Sequence, residues 1–141
     1  MRGCEPGPSL AGMTTTTIHP MQNERLAGGL ALLITIGALA YANFAVEGEN
    51  GGVGPYAVCV VVSAILAGVL FGRVLPNVAD PARAAWILAA LAVVTCFVFW
   101  SGLPFVLGIG AVYSGGRAGR TAPVALGALA VVAAAVGCVI G

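Results

Sequence analysis

Lysine is absent from this chain, histidine occurs once, and only 8% of the residues are charged. All six basic residues are arginine, and against five acidic ones they leave a formal net charge of +1. No basic patch with interleaved aromatics exists, so nucleic acid is excluded as a partner. The four cysteines (Cys4, Cys59, Cys96 and Cys138) form no CxxC pair and no ligand-spaced cluster. Neither a disulfide framework nor a metal site nor any other cofactor is expected. The single histidine, His19, precedes Pro20 in a polar stretch and reads as a tail residue, not a ligand.

The sharpest absence is inside the long apolar runs, where no Asp, Glu, Lys, Arg or His occurs. Proton-coupled transporters, pumps and voltage sensors generally place an ionisable group within the membrane. An intramembrane hydrolase needs a base beside its nucleophile. Thr35, Ser63 and Thr95 are lone hydroxyls, expected to bond to their own helix or to a neighbour. The chain is therefore not expected to be an enzyme, and no catalytic residue is assigned.

What is abundant is apolar: 60% of the 141 residues are hydrophobic and the mean hydropathy is +1.03. A soluble domain is roughly 45–50% apolar and about 25% charged. Too little polar surface exists here to cover a globule in water, so the expected solvent is lipid. The wealth of Ala, Gly and Val, with Arg in place of Lys, resembles GC-rich bacterial coding.

Residues 1–19 are polar and without periodicity, and read as a disordered cytoplasmic tail. No apolar segment follows Arg2 before "TTTTIHPMQNER", so they do not read as a signal peptide, and Met13 offers an alternative start. A transmembrane helical domain is expected over residues 20–141. Its first span covers Leu26 to Val46 and stops at the acidic "EGENGG". The second opens at Pro55 and ends before Arg73. Asp80-Pro81 reads as the cap and first position of a third helix running to Trp100. Ser101 or Gly102 can cap a fourth, with Pro104 in its first turn and Gly115-Gly116 as its stop. Thr121, with Pro123 just inside, starts the last.

The fourth element decides the topology. A single helix over residues 81–116 would be about 54 Å long at ~1.5 Å per residue, too long without extreme tilt. It would also put Arg117 and Arg120 on the opposite side from Arg25, Arg73 and Arg83, against the positive-inside rule. Folding back at Ser101–Pro104 removes both conflicts. The expected fold is all-α, a polytopic helical bundle of five spans with the N-terminus cytoplasmic and the C-terminus outside. The alternative is four spans with a long kinked third helix. In the five-span arrangement Cys59, Cys96 and Cys138 all fall in the outer half of the bilayer.

Two small-residue stripes are candidate helix-packing surfaces: Ala64, Gly68 and Gly72 in the second helix, and Ala133, Gly137 and Gly141 in the last. Small residues at i and i+4 let backbones approach closely in lipid, where dispersion drives helix association. "LPFVLGIGAVYSGGRAGRTAPVALGALAVV", residues 103–132, resembles the short helix, Gly/Arg turn and Ala/Gly-rich helix of small actinobacterial multi-pass membrane proteins of unknown function. That resemblance implies a multi-pass membrane fold and transfers no functional residues. The expected function is an accessory or scaffold protein of a bacterial inner membrane, and the alternative is a minimal transporter or channel acting as an oligomer. Expected partners are the lipid bilayer and either further copies of the chain or another membrane protein.

Overall fold

The computed structural model describes residues 20–45 and 52–140. The tail over residues 1–19, His19, the acidic segment with Glu47 and Glu49, and Gly141 lie outside the described residues. Five α-helices follow in order: α1 (Pro20–Phe44), α2 (Val53–Val69), α3 (Pro81–Thr95), α4 (Leu103–Arg117) and α5 (Thr121–Ile140).

Local chemistry sets most of the boundaries. α2 does not stop cleanly but passes into a π turn at Leu70–Val74 and a 3-10 turn at Leu75–Asn77. Pro76 has no N–H for the Gly72 carbonyl and its ring crowds that oxygen, so the α ladder cannot continue there. α3 starts as the sequence suggests: the Asp80 carboxylate accepts from the Ala82 and Arg83 N–H groups at 3.0 and 3.2 Å, with Pro81 in the first turn. It ends earlier than expected. The α ladder stops at Thr95, and a 3-10 segment from Cys96 to Ser101 is kinked at Val98 (φ −120°, ψ 47°).

Gly102, at φ 75°, reverses the chain into α4. A left-handed residue at this point is accessible to glycine without the Cβ clash that penalises other residues. Gly115 and Gly116 do not end α4, contrary to the sequence reading. The helix runs through them to Arg117, and Gly119 (φ 64°) supplies the left-handed stop. The Arg120 N–H donates to the Gly115 carbonyl (2.9 Å) and the Gly119 N–H to that of Gly116 (3.2 Å), the two bonds of a Schellman cap.

Contacts between helices order their ends. Glu24 at the start of α1, Leu75 after α2 and Arg117 at the end of α4 meet at one end of the bundle. Phe44 and Tyr56, with ring centroids 5.4 Å apart, pair at the other. α3 and α4 are therefore antiparallel, with Leu88 beside Gly110, and residues 81–117 are not one long kinked helix. Arg25, Arg73, Arg83, Arg117 and Arg120 all lie at the first end, which we call the basic end.

α4 occupies the middle. Nine of its residues are buried, from Pro104, Phe105, Val106 and Leu107 through Gly108, Gly110, Ala111, Ser114 and Gly115. α3 and α5 flank it, and α1 covers a further side. The core is mostly small: Ala31, Ala67, Ala85, Ala89, Ala92, Ala111 and Ala130 are all nearly or fully buried. Large side chains such as Leu33, Val58, Ile65, Leu129 and Ile140 point outward. This is the reverse of a water-soluble bundle, and it suits lipid, where close backbone approach and not expulsion of water holds helices together. Four helical stretches are long and apolar enough to cross a membrane: Asn23–Phe44, Val53–Asn77, Pro81–Val98 and Thr121–Ile140. α4, at 15 residues, spans only about 22 Å of a ~30 Å hydrocarbon layer.

Candidate functional site

Among the described residues the buried polar side chains are few, Glu24, Thr35, Ser63 and Ser114, and two places hold most of them. The first is at the basic end. Glu24 is 4% exposed, although it was expected to lie outside the first span. α1 begins six residues before Leu26 and carries the carboxylate on the face that also buries Gly28, Ala31, Thr35 and Leu39. Arg117 reaches it from α4: Nη1 donates to Glu24 Oε1 at 3.0 Å and to the Leu75 carbonyl at 3.4 Å. The guanidinium also stands 5.9 Å from the Tyr113 ring centroid, and Tyr113 meets Phe71 edge-on at 6.3 Å.

The physical sense of this cluster is a clamp. A carboxylate in apolar surroundings is costly unless paired and hydrogen-bonded. Arg117 supplies both, and its position at the C-terminal end of α4 suits the negative end of the helix dipole. The apolar run from Leu26 holds no ionisable residue, but α1 starts before it and buries Glu24. The signal was present in the spacing: Glu24, Gly28, Ala31, Thr35 and Leu39 recur at intervals of four, three, four and four, one face of a helix.

The second polar place is deeper. The Ser101-Gly102 turn does not reach the surface opposite the basic end but docks against α1 and α2. Ser63 donates to the Ser101 carbonyl at 3.3 Å, and the Leu103 N–H donates to Ser101 Oγ at 3.3 Å. A Cβ at Gly102 would lie 2.5 Å from Ser63 Oγ and 2.7 Å from Thr35 Cγ2. Thr35 itself bonds back to the Ala31 carbonyl at 2.7 Å, as expected of a lone helical hydroxyl. From Thr35, α1 continues nine residues to Phe44, so the turn is buried about 14 Å below that helix end. Ser63 and Thr35 thus satisfy and seat a turn in the interior. Ser114 Oγ, also in the interior, has no hydrogen-bond partner among the described residues.

Cys96 and Cys138 do not come together. Cys96 donates to the Ala130 carbonyl at 3.4 Å, which places it eight residues, about 12 Å, from the level of Cys138 along α5. Cys138 is buried against Phe105 and Ala134. Among the described residues no three His, Cys, Asp or Glu side chains come together as a metal site would require.

The small-residue stripes are distributed differently from their even spacing in sequence. A Cβ at Gly68 or Gly72 would meet nothing within 4 Å. Both are exposed, so within one chain neither holds a helix against another, and any packing they do is with another molecule. Ala64 and Gly137 are half-buried and Ala133 is exposed. The close approach within the chain is between α4 and α5. A Cβ on Gly108 would sit 2.8 Å from the Gly127 carbonyl oxygen, and one on Gly127 would sit 2.7 Å from that of Gly108. In α5 the buried line is Pro123, Gly127, Ala130, Ala134 and Cys138.

The geometry contains a clamp, a seated turn and close-packed helices, and among the described residues it assembles no nucleophile with a base. No protein-family model, no curated protein and no solved structure matches this chain.

Proposed function

We propose that this chain is a non-enzymatic multi-pass protein of a bacterial inner membrane that acts as an accessory or scaffold subunit. The observation that carries this reading is the position of α4. It fills the axis of the bundle with Phe105, Val106, Leu107 and Ala111, where a conducting or transporting protein would need a polar route. The rival, a minimal transporter or channel acting as an oligomer, needs a polar cavity near mid-depth. At that level the space is filled: a Cβ added to Gly102 would stand 2.5 Å from Ser63 Oγ and 2.7 Å from Thr35 Cγ2. Four grooves on the described surface open outward and are lined chiefly by apolar side chains and glycine.

The face available to a partner is that of α1 and α2, where Gly28, Gly29, Gly68 and Gly72 line a shallow groove of about 330 Å³. Gly68→Leu should leave the thermal stability of the isolated chain in detergent unchanged and weaken its association with further copies or with a co-purifying membrane protein. Native mass spectrometry after extraction in mild detergent reads both. A stable monomer with no lost association means that this face meets lipid alone.

In the membrane, the basic end is cytoplasmic by the positive-inside rule. All five chain directions then alternate, and the C-terminus lies outside. A reporter fused after the last residue should be active on the outer side, and one inserted at Gly119 on the inner. Cytoplasmic activity at both positions would sink this orientation.

A further inference from the structure

Three grooves at the basic end carry an arginine in their lining: Arg25 in one, Arg83 in a second, Arg120 in a third. They are not equivalent. The Arg83 groove, about 450 Å³, also has Asp80 in its wall, so its charge is balanced. The Arg25 groove offers one guanidinium and no other polar side chain. The third runs along α5 beside the end of α4 and encloses about 330 Å³. One end of it is Gly119, Arg120 and Thr121, and the other is Val124, Ala125 and Ala128.

That arrangement is amphiphilic in the right direction. Arg120 is exposed, and among the described residues the one ion pair is made by Arg117. α5 begins at Thr121 with no acidic residue in its first turn, so the helix dipole and the guanidinium present the same sign. Five arginines face only two carboxylates, Glu24 and Asp80, among the described residues of this end. From Arg120 to Ala128 the groove follows α5 for eight residues, about 12 Å. That is most of the ~15 Å depth of one leaflet.

We propose that this groove binds an anionic phospholipid, with the phosphate on Arg120 and the Thr121 hydroxyl and one acyl chain lying along Val124, Ala125 and Ala128. The inference rests on the membrane reading above. It names a lipid class and a site that the reading does not require.

The test uses the full chain, purified in detergent and titrated with dioleoyl phosphatidylglycerol or dioleoyl phosphatidylcholine, with bound lipids counted by native mass spectrometry. The wild-type chain should retain the anionic lipid selectively. Arg120→Gln should weaken that binding about fivefold, the effect of one arginine near an anionic surface. Gly116→Leu should do likewise by filling the groove, and it leaves the fold intact because a Cβ there meets nothing within 4 Å. Arg73→Gln removes the same charge from the same end, away from the groove, and should change little. Inorganic phosphate should not displace the lipid. Equal binding of the two lipids, equal loss in Arg73→Gln and Arg120→Gln, no loss in either groove variant, or displacement by phosphate alone would each overturn the proposal. Insertion into phosphatidylcholine vesicles is scored separately. A chain that inserts but shows no lipid selectivity fails only this inference, whereas one that stays out fails the membrane reading itself.

Discussion

Replacing Gly127 or Gly108 by leucine should unfold or grossly loosen the bundle, at a cost on the order of 3 kcal/mol or more. The reason is the identity of the atoms met. A Cβ on Gly127 would stand 2.7 Å from the Gly108 carbonyl oxygen and 2.9 Å from the Ala111 Cβ. A Cβ on Gly108 would stand 2.8 Å from the Gly127 oxygen and 2.6 Å from a Val131 methyl. A long flexible side chain can swing away from such an intrusion, but a backbone carbonyl in the middle of a helix cannot without breaking its ladder. The helices must separate instead, and α4 then loses the neighbour that covers it along much of its length. Separation forfeits the dispersion contacts that hold helices together in lipid. Thermal melting in detergent, followed by circular dichroism, should place both variants far below the wild type. Gly68→Leu should melt with the wild type, since a Cβ there meets nothing. If Gly127→Leu and Gly68→Leu melt together, the α4–α5 crossing is wrongly placed.

The second large effect should come from Arg117→Ala, which strands the Glu24 carboxylate. Removing one partner of a fully buried ion pair costs about 3–5 kcal/mol, because the remaining charge is left without compensation. Glu24 is nearly fully buried but the Arg117 side chain is 40% exposed, so solvent screens part of the pair and about 2–3 kcal/mol is the fitting scale. Glu24→Gln should cost less, since an amide oxygen still accepts from Arg117 and no buried charge is left. The double change Glu24→Leu with Arg117→Met should recover much of the loss, because an apolar pair of similar size removes the desolvation problem at both ends. Arg73→Ala, at an exposed arginine with no ion pair among the described residues, is the baseline. Equal melting of Arg117→Ala and Arg73→Ala would mean that the clamp contributes nothing.

The pair also shows where a sequence reading of this protein fails. Glu24 sits two residues before the stretch that hydropathy marks as a span, and hydropathy windows see only a polar neighbour there. Its spacing with Gly28, Ala31, Thr35 and Leu39 places it on the buried face of α1, but one helix does not disclose what will face it. The partner is 93 positions away in the chain, at the end of a helix whose own stop was misplaced at Gly115-Gly116. Only once α4 continues to Arg117 and turns at Gly119 does the guanidinium come level with Glu24.

By itself, the sequence determined that the chain is helical and clothed in apolar side chains, because so few charges leave no other surface to offer. Hydropathy and helix punctuation also marked out Asp80-Pro81 as a start and Ser101–Pro104 as a reversal, since a cap, a first-turn proline and a left-handed glycine act over three or four residues. The packing was decided by tertiary structure alone. With 21 glycines and a high alanine content, small residues recur along the helices, and spacing cannot say which of them meets a neighbour. The stripe through Gly68 and Gly72 is left open, while Gly108 and Gly127, which form no such series, carry the closest contact. The same holds for α4. It is too short to cross a bilayer unaided, and it is held inside because α3, α5 and α1 surround it, supplying the apolar contacts that its own length does not.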